Sequence, residues 1–232
     1  MKRSAPVVLV SGGNRGIGFE ACRALAEAGA TVLLGSRRAA EGARAARELA
    51  KAGSVSARAL DAADPASVAA LKASVEKEFG ALDVLINNAG VYLDEGASAL
   101  DVSEEIVAKT LETNLLGAWR LCRAFGPAMA AKRRGRIVNV SSGLGALSSM
   151  AGGQPSYRVS KAALNALTLV LAAELKPSGV GVVSFCPGWV ATDMGGANAP
   201  RTPKSAGLAL AAAALDDDRT GVFLRDGQVI PW

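Results

Sequence analysis

Short apolar runs and alanine-rich stretches take turns along this chain. "VVLVS" at 7–11 leads into a helical pattern from about Gly18 to Ala28. "ATVLLGS" is followed by "AAEGARAARELAKAG", and "VSARAL" by a helix that starts at Pro65 and stops at Gly80. Proline suits a first helical turn because its missing N–H would be unpaired there anyway. "LDVLINNAG" is the next strand, then a helical stretch from about Ser103 to Lys132 with Pro127 placed to bend it. "GRIVNVSS", "GVGVVSFCPG" and "GVFLRD" supply the remaining strands, with a helix from about Tyr157 to Lys176 between the first two. The strands are continuous apolar runs, not alternating ones, as a parallel sheet covered on both faces requires. Strand–helix alternation repeated this often predicts an α/β fold, a doubly wound parallel sheet of about seven strands with helices on both faces.

Composition narrows what such a sheet can do. The 232 residues suit a single domain, 1–232, with no linker-like segment or repeat to divide it. The net charge is +5, but the basic residues are scattered. The one tight cluster, "KRRGR" at 132–136, reads as a solvated helix end, where cations are favoured. No nucleic-acid partner is expected, and the excess charge suits a polyanionic small ligand. Histidine is absent. That removes Ser-His-Asp catalysis, His-containing zinc sites and His general bases. No metal is expected, and proton chemistry falls to Tyr, Lys, Asp, Glu, Cys or Ser. Cys22, Cys122 and Cys186 lie far apart among apolar residues. They read as buried free thiols in a reducing compartment. The apolar run near the N-terminus is too short for a signal segment. The strongly apolar stretch 162–173 falls short of the roughly 18 residues that span a bilayer. A cytoplasmic protein with no membrane partner is expected.

The glycines of "SGGNRGIG" at 11–18 follow the first strand directly. In a doubly wound sheet, ligands sit at the carboxyl ends of the strands where the strand order reverses. Gly12 suits a sharp turn, Gly16 a close phosphate, and Gly18 close packing of helix on strand. The spacing departs from the common G-x-G-x-x-G, and Gly16, Gly18 and Ala21 fit only its looser form. Position after the first strand favours nucleotide binding over a bare glycine-rich loop. An acid about 20 residues beyond the glycines would bond an NAD ribose. Here Ser36, Arg37 and Arg38 stand in that place, with no acid before Glu41, and Arg15 lies in the glycine loop. Arginines converging on one corner suit a 2′-phosphate, so NADPH/NADP+ is the expected cofactor.

Tyr157 and Lys161 are four residues apart on a predicted helix and so share a face. A cation about 4 Å from the phenol would lower its pKa by up to about three pH units. Ser142 adds a hydroxyl after "GRIVNVS", and Asn114 an amide in a helix that should be buried. Singly, each reads as structural. Together, behind a nucleotide loop, they point to chemistry.

On these residues the chain resembles the short-chain dehydrogenase/reductase family, over nearly its whole length and most closely its carbonyl reductase-like members. "SGGNRGIG" is similar to the family's cofactor loop, with Gly12, Asn14, Arg15, Gly16, Ile17 and Gly18 at its contacts and Ser11 where Thr is usual. "NNAG" resembles the motif that ends the fourth strand, giving Asn88, Ala89 and Gly90. "PGWVAT" resembles the segment beside the nicotinamide, giving Pro187, Gly188, Val190 and Thr192, and Asp61 matches a residue at the adenine. Asn114, Ser142, Tyr157 and Lys161 fall on the family's catalytic tetrad. The resemblance implies a single-domain Rossmann fold and hydride transfer to a carbonyl carbon. Ser142 would bond the carbonyl oxygen and Tyr157 donate the proton. Lys161 would hold the ribose and lower the Tyr pKa, and Asn114 would hold a water linking Lys161 to solvent. The gly- and pro-rich segment 192–207 is the expected substrate lid. It carries few aromatics and no acidic run, so small ketones, aldehydes or quinones fit. A 3-oxoacyl thioester reductase and a non-catalytic NADPH-binding regulator are the alternatives. Residues 162–173 are apolar nearly all round, and Leu116, Trp119 and Phe125 lie on the preceding long helix. A homo-oligomer, dimer or tetramer, is therefore expected.

Overall fold

A computed structural model describes residues 5–232. The strands are β1 (Val7–Ser11), β2 (Thr31–Ser36), β3 (Val55–Ala59), β4 (Val84–Asn87), β5 (Gly135–Val140), β6 (Val180–Phe185), β7 (Phe223–Arg225) and β8 (Gln228–Ile230). The helices are α1 (Gly16–Glu27), α2 (Ala39–Leu49), α3 (Pro65–Phe79), α4 (Glu104–Leu111), α5 (Ala118–Ala131), α6 (Pro155–Leu175) and α7 (Pro203–Leu215). The sheet order is β3-β2-β1-β4-β5-β6-β7-β8. The order reverses between β1 and β4, which pair in parallel.

Each strand's apolar run is divided between two cores by the pleat. Val8, Val10, Val32, Leu34, Val84 and Ile86 face α1, α2 and α7. Their neighbours Leu9, Leu33 and Leu85 face α3, α5 and α6. Successive side chains in a strand point to opposite faces, so only an unbroken apolar run can fill both. Local signals also hold in α3. Asp64 accepts the Ala66 N–H at 2.9 Å, Pro65 opens the helix, and Gly80 closes it at φ 76°.

Four expectations need correction. The sheet has eight strands, and the last pairs antiparallel to β7 through a turn at Asp226–Gly227; β8 is too short to stand out as an apolar run. The stretch 103–132 is not a plain helix bent at Pro127. Pro127 lies inside α5, and the irregularity is a π-helical turn upstream, Glu112–Gly117, which buries Asn114 and Gly117. The segment 192–207 is a loop only to 202. Pro203 starts α7 behind Thr202, whose hydroxyl accepts the Ser205 N–H. Helices α1 and α6 begin at Gly16 and Pro155, each two residues before the first residue expected. On α6, Leu164 and Leu167 pack against Leu115 and Ala118, while Leu169 and Val170 remain exposed.

Candidate active site

The reversal between β1 and β4 opens a cleft of about 410 Å³ at the carboxyl ends of these strands. The first turn of α1 forms its wall. Gly12 and Gly16 adopt positive φ of 66° and 58°, a conformation that side chains rarely take. A Cβ on Gly18 would stand 2.4 Å from the Gly12 carbonyl oxygen, so the loop closes only with glycine there. Arg15 precedes α1 in extended conformation and gives no side-chain cap, and the first turn holds no acid. The N–H groups that start α1 therefore remain for an anion. Ser11 ties the loop to the end of β4. Its Oγ accepts the Asn88 and Ala89 N–H groups at 3.0 and 3.1 Å, while the Asn88 amide donates to the Ser11 and Gly12 carbonyls.

One continuous cleft joins this loop to the other predicted residues. Asn14, Ile17, Ser36, Arg37, Arg38 and Asp61 line one end of it, and Ala89, Gly90, Tyr157, Lys161, Pro187 and Thr192 the other. Gly188, Val190, Ser142 and Asn114 do not form its walls. Val190 is buried and bridges to Arg201 at the far side of the 192–202 loop. The cleft also takes in residues that local reading passed over, among them Val91, Thr113, Asp193 and Met194. The bare helix start and the glycine cradle fit a dinucleotide. Asn14, Arg15 and the α1 N–H groups would meet its phosphates.

Charges at the far end are partly matched within the chain. Arg38 pairs with Glu41 at 2.6 Å, and Glu41 also accepts from Asn14 at 3.0 Å. Arg15 pairs with Asp193, reaching from the glycine loop to the loop after Thr192. Arg37 is exposed on the cleft and makes no ion pair among the described residues. The acid that looked remote in sequence, Glu41, therefore joins Asn14 and Arg38 at the cleft.

The tetrad residues gather at the start of α6. Tyr157 is 9% and Lys161 4% exposed. The Lys161 ammonium lies 5.7 Å from the Tyr157 ring centre and donates to the Val140 carbonyl at 2.8 Å. Burial pushes the Tyr157 phenol up to about 12, outweighing the nearby Ser142 hydroxyl, which draws it down. Burial pushes Lys161 the other way, from 10.5 down to about 8. The expected lowering of the phenol by its neighbour is thus reversed in the ligand-free chain. Removing both groups from water disfavours charge on each, and the ammonium bonds a carbonyl rather than the phenol. Asn114 spends its side chain on structure. Its Oδ1 accepts the Val91 N–H at 2.7 Å, and its amide donates to the Val91 carbonyl and to Ser160 at 2.9 and 3.0 Å. A water toward Lys161 would have to rest on some other atom, and the π-helical turn around Asn114 alters the main-chain pairing there.

A polar ladder seats α6 on the sheet. Asn87, Asn139 and Ser184 stand side by side on β4, β5 and β6. Asn87 donates to Asn139 at 2.8 Å, and both Asn139 and Ser184 donate to Thr168 of α6 at 2.9 Å. All four are buried, where such bonds are directional and slipping the helix would break them. Their signal in the sequence is polar residues inside otherwise apolar strands. Tyr92 packs edge-on against Tyr157 with ring centres 5.2 Å apart, and no motif pointed to it. The three cysteines are free and buried. Among the described residues, no metal-binding cluster occurs and no helix is long and apolar enough to cross a membrane.

A nucleotide cleft at the switch point with a buried Tyr–Lys pair beside a serine defines a class: Rossmann-type oxidoreductases. Comparison with known proteins narrows it. A family model described as short chain dehydrogenase matches residues 6–202, and the chain belongs to the short-chain dehydrogenase/reductase family. It is 35% identical over 194 residues to a 3-oxoacyl-(acyl-carrier-protein) reductase of Vibrio cholerae, covering 84% of this chain and 77% of that one. It is 34% identical to the (+)-neomenthol dehydrogenase of Arabidopsis thaliana, covering 80% and 83%. Among solved structures, the carbonyl reductase Sniffer of D. melanogaster superposes with a TM-score of 0.87 at 28% identity, over 98% of this chain and all of that one. An NADPH-bound carbonyl reductase from chicken fatty liver gives 0.87 at 29%, over 99% and 100%.

Proposed function

We propose that this oxidoreductase uses NADPH to reduce a small ketone, aldehyde or quinone to the alcohol, with Tyr157 as proton donor. The observation that carries the reading is that Tyr157 and Lys161 line the same cleft as the glycine loop, with Ser142 just behind its wall. When bound, NADPH supplies the hydride. The chain's own residues handle the oxygen. As charge grows on the carbonyl oxygen, Ser142 donates a hydrogen bond to it and Tyr157 delivers a proton. A phenol whose pKa stands above 10 is fully protonated at neutral pH and ready to donate. Lys161, fixed by Val140, faces the same end of the cleft and is placed to hold a ribose. The exposed Arg37, with Arg15 and Arg38, favours a 2′-phosphate over a bare ribose hydroxyl.

A 3-oxoacyl thioester would be reduced by the same groups, and the bacterial relative's name supports that second reading. The full-length match to two carbonyl reductases favours the first. A panel of ketones, aldehydes, quinones and a 3-oxoacyl thioester, followed by loss of NADPH absorbance, tests both. Tyr157→Phe should lower reduction of any accepted substrate by at least about a hundredfold, the worth of a positioned general acid, with NADPH affinity nearly unchanged. Retention of most activity by a folded Tyr157→Phe variant would overturn the mechanism. No turnover on the whole panel would favour a binding role without catalysis.

A further inference from the structure

Helix α6 lacks a cap of its own. The residue before Pro155 is Gln154, held at φ 48°, and its side chain makes no capping bond. No acid stands in the first turn. A helix start leaves N–H groups without partners, and burying them so costs free energy. Asp94, from the loop after β4, fills the gap across the tertiary fold. Its Oδ2 accepts the Ser156 N–H at 2.7 Å and the Tyr157 N–H at 3.2 Å. Asp94 is 1% exposed, and its other oxygen, Oδ1, is buried with no hydrogen-bond partner. Asn caps a helix about as well as Asp, and a neutral amide is cheaper to bury. A carboxylate here, where an amide would cap as well, points to a role beyond capping.

We propose that Asp94 is a positioning residue for carbonyl reduction: it fixes the Tyr157 backbone at the start of α6, and its charge holds the phenol's proton in place until the substrate takes it. This rests on the reading of Tyr157 as proton donor. The charged and titratable groups around that phenol are few. Lys161 lies on its own helix, Ser142 follows β5, Cys186 follows β6, and Tyr92 and Asp94 follow β4. Glu95 and Arg158 act on Tyr92 with opposite signs. Among these acids, Asp94 is the one bonded to the Tyr157 backbone itself. Its charge raises the pKa of both tyrosines, as a carboxylate near a phenolate must. The same carboxylate therefore fixes the backbone that carries the phenol and adds, after burial, to what keeps the phenol protonated.

Two variants and a spectroscopic titration test this. In Asp94→Asn the cap can persist while the charge is lost. Reduction needs the protonated phenol, so its alkaline limb should move to lower pH. In Asp94→Ala the cap goes too, and kcat should fall tenfold or more while NADPH affinity by fluorescence titration holds. The chain has only two tyrosines, so Tyr92→Phe leaves Tyr157 as the single phenol. Ultraviolet titration of Tyr92→Phe with and without Asp94→Asn should show a lower midpoint in the doubly substituted protein. Superimposable pH profiles and equal midpoints would overturn the assignment. A lowered midpoint in a protein that reduces no carbonyl would support Asp94's hold on the phenol and remove the activity reading beneath it.

Discussion

Lys161 is the most expensive residue in the site, and replacing it should make the ligand-free protein more stable. Its ammonium is fully buried, and burial lowers its pKa from 10.5 to about 8. At about 1.4 kcal/mol per pH unit, that gap corresponds to about 3 kcal/mol of unfavourable charge burial at neutral pH. Lys161→Met keeps the length and apolar stem but leaves the Val140 carbonyl without its donor, a loss of about 1 kcal/mol. The net expectation is a gain of about 2 kcal/mol, or a few degrees in Tm for a domain of this size. The sign fixes the pH dependence. Below about 8 the lysine is charged in both folded and unfolded chains, and the full penalty applies. Between about 8 and 10.5 the folded chain sheds the proton first, so the wild type gains stability as pH rises. The variant's advantage should be largest near neutrality and shrink across that window. Thermal denaturation of both ligand-free proteins at several pH values reads this out directly. A variant less stable than wild type at neutral pH, or a difference that does not change with pH, would refute the reasoning. Saturating NADPH should reverse the order if Lys161 holds the ribose as proposed, because ligand binding stabilises by mass action.

The cofactor corner gives a second test. Arg37→Ala should weaken NADPH binding about tenfold or more, the loss of a charged hydrogen bond, and leave NADH affinity nearly unchanged; equal losses for both would remove Arg37 from the 2′-phosphate. Leu116, Trp119, Leu169 and Val170 are 37%, 44%, 40% and 52% exposed on α6 and the helix beside it, so light scattering should find a dimer or tetramer. A 23.5 kDa particle at micromolar concentration would refute the association, and Trp119→Glu should dissociate an oligomer built on this face.

The sequence by itself determined the wound sheet, the glycine loop and the Tyr–Lys pair. Each is encoded within a short window. An apolar run that fills both faces is a strand of a covered sheet wherever it lies. Gly12 and Gly18 are demanded by a backbone turn and a close approach a few residues away. Tyr157 and Lys161 share a face because of helical periodicity alone. What tertiary structure decided depends on partners far along the chain. Asp94 caps a helix that begins 61 residues later (155 − 94), so no local pattern announces it. Glu41 joins the cleft only because α2 folds back beside Asn14. The π-helical turn at Asn114 has no residue signature, since its helix is held by packing against α6 rather than by propensity. The proton affinities of the Tyr–Lys pair were misjudged for the same reason. Spacing sets which charges are neighbours, but burial sets what charge costs, and burial belongs to the folded chain as a whole.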